Sequence, residues 1–338
     1  MSQITMIGLD TAKHVFHALG FDRAWKEQLR KTLRRNRVLK FFAQLPPTVV
    51  AMEACSGSHY WARELEKLGH TVRLIPARDV RALRRGQKND FNDARAIAEA
   101  AGRPDQRFVP IKGVTDHDFQ LLQRLRRGYI NARTAQSNRI RGLLAEYGLV
   151  LPKGLAALRR RVPELLEDGD NDLSAVVRHL LHQALEYLRQ LDQQIATCDQ
   201  QMKQQLQHDE LAQRLLAEPG LGEVSVACWR AVIGDGRWFR RGRDVSAAIG
   251  LVPRQHTTGG RPQLHGITKS GDKELRSLLI HGARSVVRHA HKKDDPLSHW
   301  ICQLIARRGV HKATVALANK MARRAWAISV YGDEVRSY

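Results

Sequence analysis

Four acidic residues stand at positions that favour a shared metal site. Asp10 and Glu53 each follow an apolar stretch that has the length of a buried strand. Asp90 and Asp93 lie three residues apart at the start of an alanine-rich helical pattern, so they share one helix face. Carboxylates at strand ends lie on the rim of a sheet, and four together repel one another unless a divalent cation binds among them. The pattern predicts a site for Mg²⁺ or Mn²⁺, and such ions assist phosphoryl transfer.

Each of these acids also has an ordinary structural explanation. Asp90 could cap its helix, Asp93 could interact with the helix dipole, and Asp10 could belong to a turn. The order of a strand-end Asp, a strand-end Glu and a helical Asp pair is more specific than any one member. That order favours the metal site.

A second group of residues offers hydroxyl nucleophiles in a glycine-rich loop. Its members are the hydroxyls of Thr257 and Thr258 and the flanking cations Arg254 and Arg261, with Lys269 following in the next turn. An attacking hydroxyl needs a base or a cation beside it and room for a phosphate. His256 offers a base, and the flexible Gly259 next to Thr258 favours that threonine. The alternative is that the threonines only contact phosphate.

The segment 218–224, Glu-Pro-Gly-Leu-Gly-Glu-Val, predicts the turn of a helix-hairpin-helix motif. Gly220 and Gly222 would let the backbone approach a phosphate at the start of the next helix. Such a motif binds the nucleic-acid backbone without reading sequence. An ordinary turn between two helices explains the same spacing equally well.

The charge of the chain favours a polyanionic partner. Its 338 residues include 56 Lys and Arg against 34 Asp and Glu, a formal net charge of +22. Nucleic acid is the polyanion that such an excess most often binds. Residues 219–338 hold 21 Lys and Arg against nine Asp and Glu, so more than half of the excess lies there. Another basic cluster, with Arg84, Arg85 and Lys88, leads into Asp90 and predicts a substrate channel.

Composition excludes several other classes of protein. A hydrophobic fraction of 43% excludes a disordered basic tail. The first residues lack the pattern of a signal peptide, and no apolar run is long enough to span a bilayer. Four scattered cysteines fit neither a disulfide framework nor a zinc site. We therefore expect a cytoplasmic protein with no membrane partner.

Hydrophobic patterning predicts three segments. Residues 1–118 alternate short strands with helices, which indicates an α/β domain with a mixed sheet. Residues 119–210 are helical, and a heptad seam from Leu173 to Leu206 predicts a coiled coil that joins copies of the chain into a dimer or tetramer. An intramolecular hairpin with the preceding helix, about 119–147, is the alternative. Residues 211–338 predict a mainly helical domain.

The order Asp10, Glu53, Asp90, Asp93 resembles the DEDD set of the Piv-type transposases and invertases of bacterial insertion sequences, a group that includes RNA-guided bridge recombinases. The local sequences agree: Ile-Gly-Leu-Asp-Thr-Ala-Lys at 7–13, Met-Glu-Ala-Cys at 52–55 and Lys-Asn-Asp-Phe-Asn-Asp-Ala-Arg at 88–95. The resemblance continues in the C-terminal part and covers most of the chain. It implies a RuvC-like N-terminal domain with an RNase H fold, in which the four acids bind Mg²⁺.

The family also implies a covalent step and an RNA partner. Its C-terminal loop carries a serine that attacks DNA and forms a phosphoserine link. This chain departs from that pattern, because the matching positions are Thr257 and Thr258, and the extra methyl group crowds an in-line attack. Thr258 is our first candidate, Thr257 and Ser270 are alternatives, and an impaired copy is another. The family's structured guide RNA pairs with target and donor DNA, which would explain a basic surface without a base-reading helix.

The resemblance implies a site-specific DNA recombinase, the transposase of an insertion sequence. One alternative is a metal-dependent junction endonuclease that uses the same acids without a covalent intermediate. The other is a non-catalytic scaffold that binds nucleic acid. The Thr-Thr loop separates the recombinase from the endonuclease, because hydrolysis does not need a hydroxyl nucleophile on the protein. Dependence on a divalent metal separates both enzymes from the scaffold.

Overall fold

A computed structural model describes residues 4–84 and 89–332, and the chain divides into two units, Met1–Gly113 and Val114–Tyr338. The predicted division at residues 118 and 210 stays a prediction.

The first unit is built on a five-stranded mixed sheet. Its elements are β1 (Met6–Thr11), β2 (Val15–Phe21), β3 (Glu27–Arg34), α1 (Val38–Phe42), β4 (Val49–Glu53), α2 (Ser58–Lys67), β5 (Thr71–Ile75), α3 (Ala77–Leu83) and α4 (Asp90–Ala101). The strand order is β3-β2-β1-β4-β5. β2 is antiparallel to both β1 and β3, whereas β4 is parallel to β1 and to β5. This architecture confirms the predicted α/β class and is consistent with an RNase H-like domain.

Alternate residues of β1 determine what packs on each face of the sheet. Ile7 and Leu9 are fully buried in the core that includes α1 and α2. Gly8 faces α4, and a Cβ at this position would lie 2.0 Å from the carbonyl oxygen of Ala94. Glycine therefore permits the backbone of α4 to lie directly on β1. This contact brings the first turn of α4 to the carboxyl end of β1.

The second unit is mainly helical. Its elements are α5 (Val114–Ala145), α6 (Leu155–Glu167), α7 (Ala175–Gln207), α8 (Glu210–Leu216), α9 (Glu223–Val232), α10 (Gly242–Ala248), β6 (Pro253–Thr258), β7 (Arg261–Ile267), α11 (Lys273–His289), α12 (Pro296–Arg308) and α13 (Val310–Tyr331). Its main core surrounds the fully buried Trp229 of α9 and includes residues of α8, α10, α11, α12 and α13.

The long helices α5 and α7 form an antiparallel hairpin within one chain. Nε of Arg126 lies 2.5 Å from Oδ1 of Asp199, and Nη1 of Arg133 lies 3.0 Å from Oδ1 of Asp192. The apolar seam of α7 from Leu188 to Leu206 is buried, much of it against α5. This segment therefore forms the intramolecular hairpin, the alternative to a coiled coil between copies of the chain. The three-four spacing of the predicted seam places Leu180 in it, but Leu180 is 50% exposed and the neighbouring Leu181 is buried instead.

β6 and β7 form a two-stranded antiparallel hairpin where the sequence predicted a loop. Every residue of β6 is exposed, as are all residues of β7 but the last. Within residues 4–84 and 89–332, no helix combines the length and the apolar character that crossing a bilayer requires.

Candidate functional site

The carboxyl ends of β1 and β4 place the predicted acids side by side. Asp10 lies in β1, and Glu53 follows Met52, whose partner on β1 is Leu9. Asp90 and Asp93 stand in the first turn of α4. We call Asp10, Glu53, Asp90 and Asp93 the acid group.

His17 joins this group, although no motif in the sequence marks it. It is paired with Asp10 across the β1–β2 ladder. One ligand atom each from Asp10, His17 and Asp90 lies within 4.8 Å of the other two. Nδ1 of His17 lies 3.6 Å from Oδ2 of Asp90 and is buried without a hydrogen-bond partner among the described residues. A neutral imidazole is a common metal ligand, so three potential ligands face one small volume.

Burial and like charge act together on Asp10. Burial is the largest cause, and the carboxylates of Asp93, Asp90 and Glu53 add to it, while His17 has an opposing effect. Together they raise the pKa of Asp10 from 3.8 to about 6. Asp93, Asp90 and Glu53 are therefore close enough to Asp10 to affect its pKa. A carboxylate in such surroundings is stabilised by a cation.

Arg84 is the cation that the chain itself places beside the acid group. It forms an ion pair with Asp93, whose side chain is 9% exposed. Burial raises the pKa of Glu53, Asp93 reinforces this effect, and the charges of Arg84 and Arg81 oppose it. Arg84, which we predicted to contact nucleic acid, thus neutralises part of the acid group, and its contact with nucleic acid stays a prediction.

The local sequence explains why the helical acids are available to this site. The side chain of Asn89 caps α4 by accepting a hydrogen bond of 2.9 Å from the backbone N–H of Phe91. Asp90 is therefore not the cap, which removes its structural alternative. Asp93 also lies in the first turn of α4, where a carboxylate interacts favourably with the helix dipole, and its role as a metal ligand stays a prediction.

The two candidate threonines at the tip of the β6–β7 hairpin lie on opposite faces of it. Gly259 and Gly260 form the turn, with φ of 57° and 74°, a conformation that two-residue hairpin turns require. Successive residues of a strand point to opposite sides. The environments of Thr257 and Thr258 therefore differ.

Thr258 has a base and a cation on its face. Its Oγ1 lies 3.5 Å from Nδ1 of His256, and its cross-strand partner is Arg261. The face of Thr257 carries Gln255, whose Nε2 donates a hydrogen bond of 3.0 Å to Oγ1 of Thr257, and Pro262.

Ser270, the third candidate, belongs to the tight turn after the hairpin. Its Oγ lies 3.0 Å from Oγ1 of Thr268 and donates to the carbonyl oxygen of Ala247 at 3.4 Å. The buried Arg276 donates to the carbonyl oxygen of Ser270 at 2.6 Å. The preceding Lys269 has a φ of 57°, in the left-handed region that few residues other than glycine adopt. The hydroxyl of Ser270 therefore participates in holding the turn.

The predicted phosphate contacts lie in varied settings. Arg254, Arg261 and Lys269 are exposed on the hairpin and on the turn that follows it. Arg85 and Lys88 lie outside the described residues. Gly222 is exposed at the N-terminus of α9.

Gly220 packs against another helix instead of lying open to solvent. A Cβ on Gly282 of α11 would lie 1.9 Å from the carbonyl oxygen of Gly220. This turn therefore uses glycine for close helix packing, and phosphate binding by Gly220 and Gly222 stays a prediction.

The mixed sheet and the acids gathered at its rim are consistent with the RNase H-like class of metal-dependent enzymes that act on nucleic acids. The chain matches the DEDD transposase model of the IS110 type over residues 7–149, and a model described as the transposase IS116/IS110/IS902 family over residues 212–297. The chain belongs to this family of insertion-sequence transposases.

Relatives match along nearly the whole chain. A probable family 20 transposase of Pseudomonas aeruginosa is 45% identical over 326 residues, which cover 96% of each chain. The transposase for insertion sequence element IS1111A of Coxiella burnetii is 39% identical and covers 97% of this chain and 90% of its own. The transposase for element IS1328 of Yersinia enterocolitica is 36% identical over 98% of both. The protein is accordingly a DNA transposase, with the DNA binding and divalent-metal dependence that its DEDD family suggests.

Proposed function

We propose that this transposase cuts and rejoins DNA through the acid group, with Mg²⁺ or Mn²⁺ bound there, and through the hydroxyl of Thr258, at sites chosen by a structured guide RNA. The single observation that carries the proposal is the convergence of the acid group at the rim of the sheet. Asp10, Glu53 and Asp93 are buried or half-buried, and keeping their charges there beside the exposed Asp90 is costly unless a cation binds.

The donor set suits a hard divalent cation. Asp10 and Asp90 offer carboxylate oxygens, the ligands that Mg²⁺ and Mn²⁺ prefer, and His17 offers one nitrogen. Glu53 and Asp93 stand next to them. Such an ion, when bound, neutralises charge on a scissile phosphate and on its leaving oxygen. The chain contributes the fixed position of the acids, because Gly8 lets α4 lie on β1 and Asn89 caps α4.

The geometry of the hairpin supports Thr258 as the nucleophile. In the proposed step, Oγ1 of Thr258 forms a bond to phosphorus and an oxygen of the cut DNA strand leaves with a proton. The hydroxyl proton passes to His256, which returns a proton to the leaving oxygen, and the Arg261 guanidinium faces the charge that develops on the phosphate. Attack by a strand hydroxyl on the phosphothreonine reverses the step, joins the DNA and restores Thr258. Among the described residues of the hairpin, the face of Thr257 carries neither a base nor a cation.

The proposed guide RNA is supported by the family resemblance and by the charge of +22. Arginines and lysines bind phosphates of any sequence, so base pairing would deliver the choice of site. Purified protein should bind the non-coding RNA of its own element more tightly than a scrambled RNA of equal length at the same salt concentration. Equal affinity for the two RNAs would remove the guide from the proposal.

We also propose that the active form is a homo-oligomer, a dimer or tetramer. The α5–α7 hairpin uses its seam within the chain, but Leu121 and Leu125 on α5 are 48% and 53% exposed, one helical turn apart. Light scattering should show a dimer or tetramer that Leu121→Ser/Leu125→Ser weakens. A monomer in the presence of DNA and RNA would contradict this part.

A covalent adduct with DNA tests the proposed function. Labelled DNA carrying the ends of the element is incubated with the protein, the RNA and Mg²⁺, and the products are denatured. We expect a protein–DNA band that Asp10→Asn and Thr258→Ala abolish and that Thr257→Ala retains. Strand cleavage that needs Asp10 but survives Thr258→Ala and Thr257→Ala without any adduct would favour the junction endonuclease. Cleavage and DNA binding that chelation and Glu53→Gln leave unchanged would favour the scaffold.

A further inference from the structure

A basic cavity lies in the second unit, and its lining residues come from outside the β6–β7 hairpin. Its volume is about 680 Å³, and α10, α12 and α13 contribute to its walls. Six of its lining residues are cations: Arg240, Arg241, Arg243, Lys320, Arg323 and Arg324. We call these six residues and the space between them the basic cavity. None of them was among the predicted nucleic-acid contacts.

The pairing of these cations differs from that of other arginines in the unit. Arg126, Arg133 and Arg230 are each within 3.1 Å of an Asp carboxylate. In the part of the chain that the structure describes, no ion pair is found for the side chains at positions 240, 241, 243 and 323. Arg324 contacts Glu218 at 2.6 Å. The basic cavity therefore contains four arginines, at positions 240, 241, 243 and 323, for which the described residues provide no ion pair.

The effect of this crowding is visible at Lys320. Burial lowers the pKa of its ammonium group, and the charges of Arg324 and Arg323 lower it further. Its Nζ lies 4.8 Å from the centre of the Trp300 ring, which offers a weak attraction for a cation. Like charges held this close repel one another, and an anion between them would remove the repulsion.

Hydrogen bonds hold the walls of the basic cavity in place. Nε1 of Trp326 donates a hydrogen bond of 3.0 Å to the carbonyl oxygen of Gly236. Oγ of Ser246 donates to the carbonyl oxygen of Asn319 at 3.3 Å, and Nδ2 of Asn319 donates to the carbonyl oxygen of Leu251 at 3.1 Å. The Ser246 contact joins α10 to α13, and the other two join α13 to the segments before and after α10.

The chemistry of the lining identifies the class of ligand. Arginine presents paired N–H donors that match the oxygens of a phosphate. Base edges are recognised by Asn and Gln side chains, and by Arg or Lys side chains that enter a groove of the duplex. The one amide in the lining, Asn319, already donates to the backbone. The lining is therefore suited to a phosphate backbone of any sequence.

We propose that the basic cavity binds consecutive phosphodiesters of the DNA on which the transposase acts, as a site separate from the acid group and the hairpin. The proposal rests on the proposed function only for the identity of the partner, because it requires no chemistry at either of those two sites.

The salt dependence of DNA affinity tests this proposal. The full-length protein is compared with Arg240→Gln/Arg243→Gln/Arg323→Gln by anisotropy on a random-sequence DNA duplex across a NaCl series. Each phosphate contact contributes about 0.9 to the slope of log K against log salt concentration, so the slope should fall by about 2 to 3. The affinity at low salt should fall about tenfold or more.

A matched control removes the same charge elsewhere in the same unit. Arg161, Arg189 and Arg237 are about half to three-quarters exposed, and each lies within 3.7 Å of an acid two or three residues away. The triple variant Arg161→Gln/Arg189→Gln/Arg237→Gln should keep the slope of the wild-type protein. Equal slopes for the two triple variants would overturn the proposal.

Two further arms keep the outcome clear. A loss of affinity confined to a structured RNA, with DNA binding unchanged, would overturn the assignment to DNA.

Circular dichroism and Tm show whether the first triple variant folds. If it does not, Arg240→Gln and Arg323→Gln are tested singly, each with an expected slope change of about 0.9, and no change in either overturns the proposal. Metal binding to the acid group, measured on the same variants, should be unaffected, so failure of the proposed function and failure of this site remain distinguishable.

Discussion

Replacing Asp10 with asparagine is expected to stabilise the metal-free protein, although it should abolish activity. The folded pKa of about 6 lies above the ordinary value of 3.8, so the folded state keeps a proton that the unfolded state releases. The free energy of unfolding therefore falls as pH rises from about 4 to about 6, and the loss is complete above that range. Asparagine carries no charge and does not incur this loss.

The size of the effect follows from the shift. A shift of two pKa units corresponds to at most about 3 kcal/mol. Water screens this partly exposed side chain, which reduces the expected gain to about 1 kcal/mol. For a unit of this size the gain is about 5 °C in Tm. Asp10→Asn should therefore melt about 5 °C above the wild-type protein in EDTA at about pH 8, and at the same temperature at about pH 4.

Thermal unfolding by calorimetry, with the exposed loop variant Asp105→Asn as control, measures this difference. Mg²⁺ should reverse the order, because a ligand that binds only the folded state stabilises it and the variant lacks a ligand atom. A metal-free Asp10→Asn protein that melts at or below the wild-type temperature at about pH 8 would refute the reasoning. So would an equal gain from Asp105→Asn.

The remaining predictions concern the metal, a backbone contact and the nucleophile. Because Asp10 must release its proton before it binds a cation, Mn²⁺ affinity measured by calorimetry should fall about tenfold for each pH unit below about 6. A flat profile there would remove Asp10 from the ligands. Gly8→Ala should lower the free energy of unfolding in urea by about 1–3 kcal/mol, because its Cβ would lie 2.0 Å from the oxygen of Ala94; an unchanged midpoint would contradict this packing. His256→Ala should slow adduct formation about 10²-fold or more with little change in DNA affinity, and an equal loss from Gln255→Ala would contradict the assignment of faces.

Apolar patterning was sufficient for the elements that build the acid group. The hydrophobic pattern predicts strands over Val15–Phe21 and Thr71–Ile75 and a helix over Asp90–Ala101, and the structure has these three elements with the same bounds. β1 and β4 each continue past the apolar stretch onto polar residues at the rim of the sheet, among them Asp10 and Glu53. Hydrophobicity does not mark such polar strand ends.

Other features depend on contacts that a sequence pattern does not contain. β3, Glu27–Arg34, is an edge strand with mostly exposed side chains, so its sequence lacks an apolar signal. The β6–β7 hairpin is exposed on both faces, so its sequence lacks an apolar signal as well. His17 could have been found from the strand register, because a hairpin of β1 and β2 places residue 17 opposite residue 10. The ion pair of Arg84 with Asp93 could not be predicted from the sequence, because it depends on how α3 is placed relative to α4.

Identification of the residue that bonds to DNA tests the central proposal most directly. The trapped adduct is digested with nuclease and protease, and mass spectrometry locates the peptide that carries a nucleotide. We predict a phosphodiester on Thr258, formed only with a divalent cation and lost in Asp10→Asn. A nucleotide on Thr257, Ser270 or any other side chain, or efficient strand exchange with no modified peptide, would contradict the account.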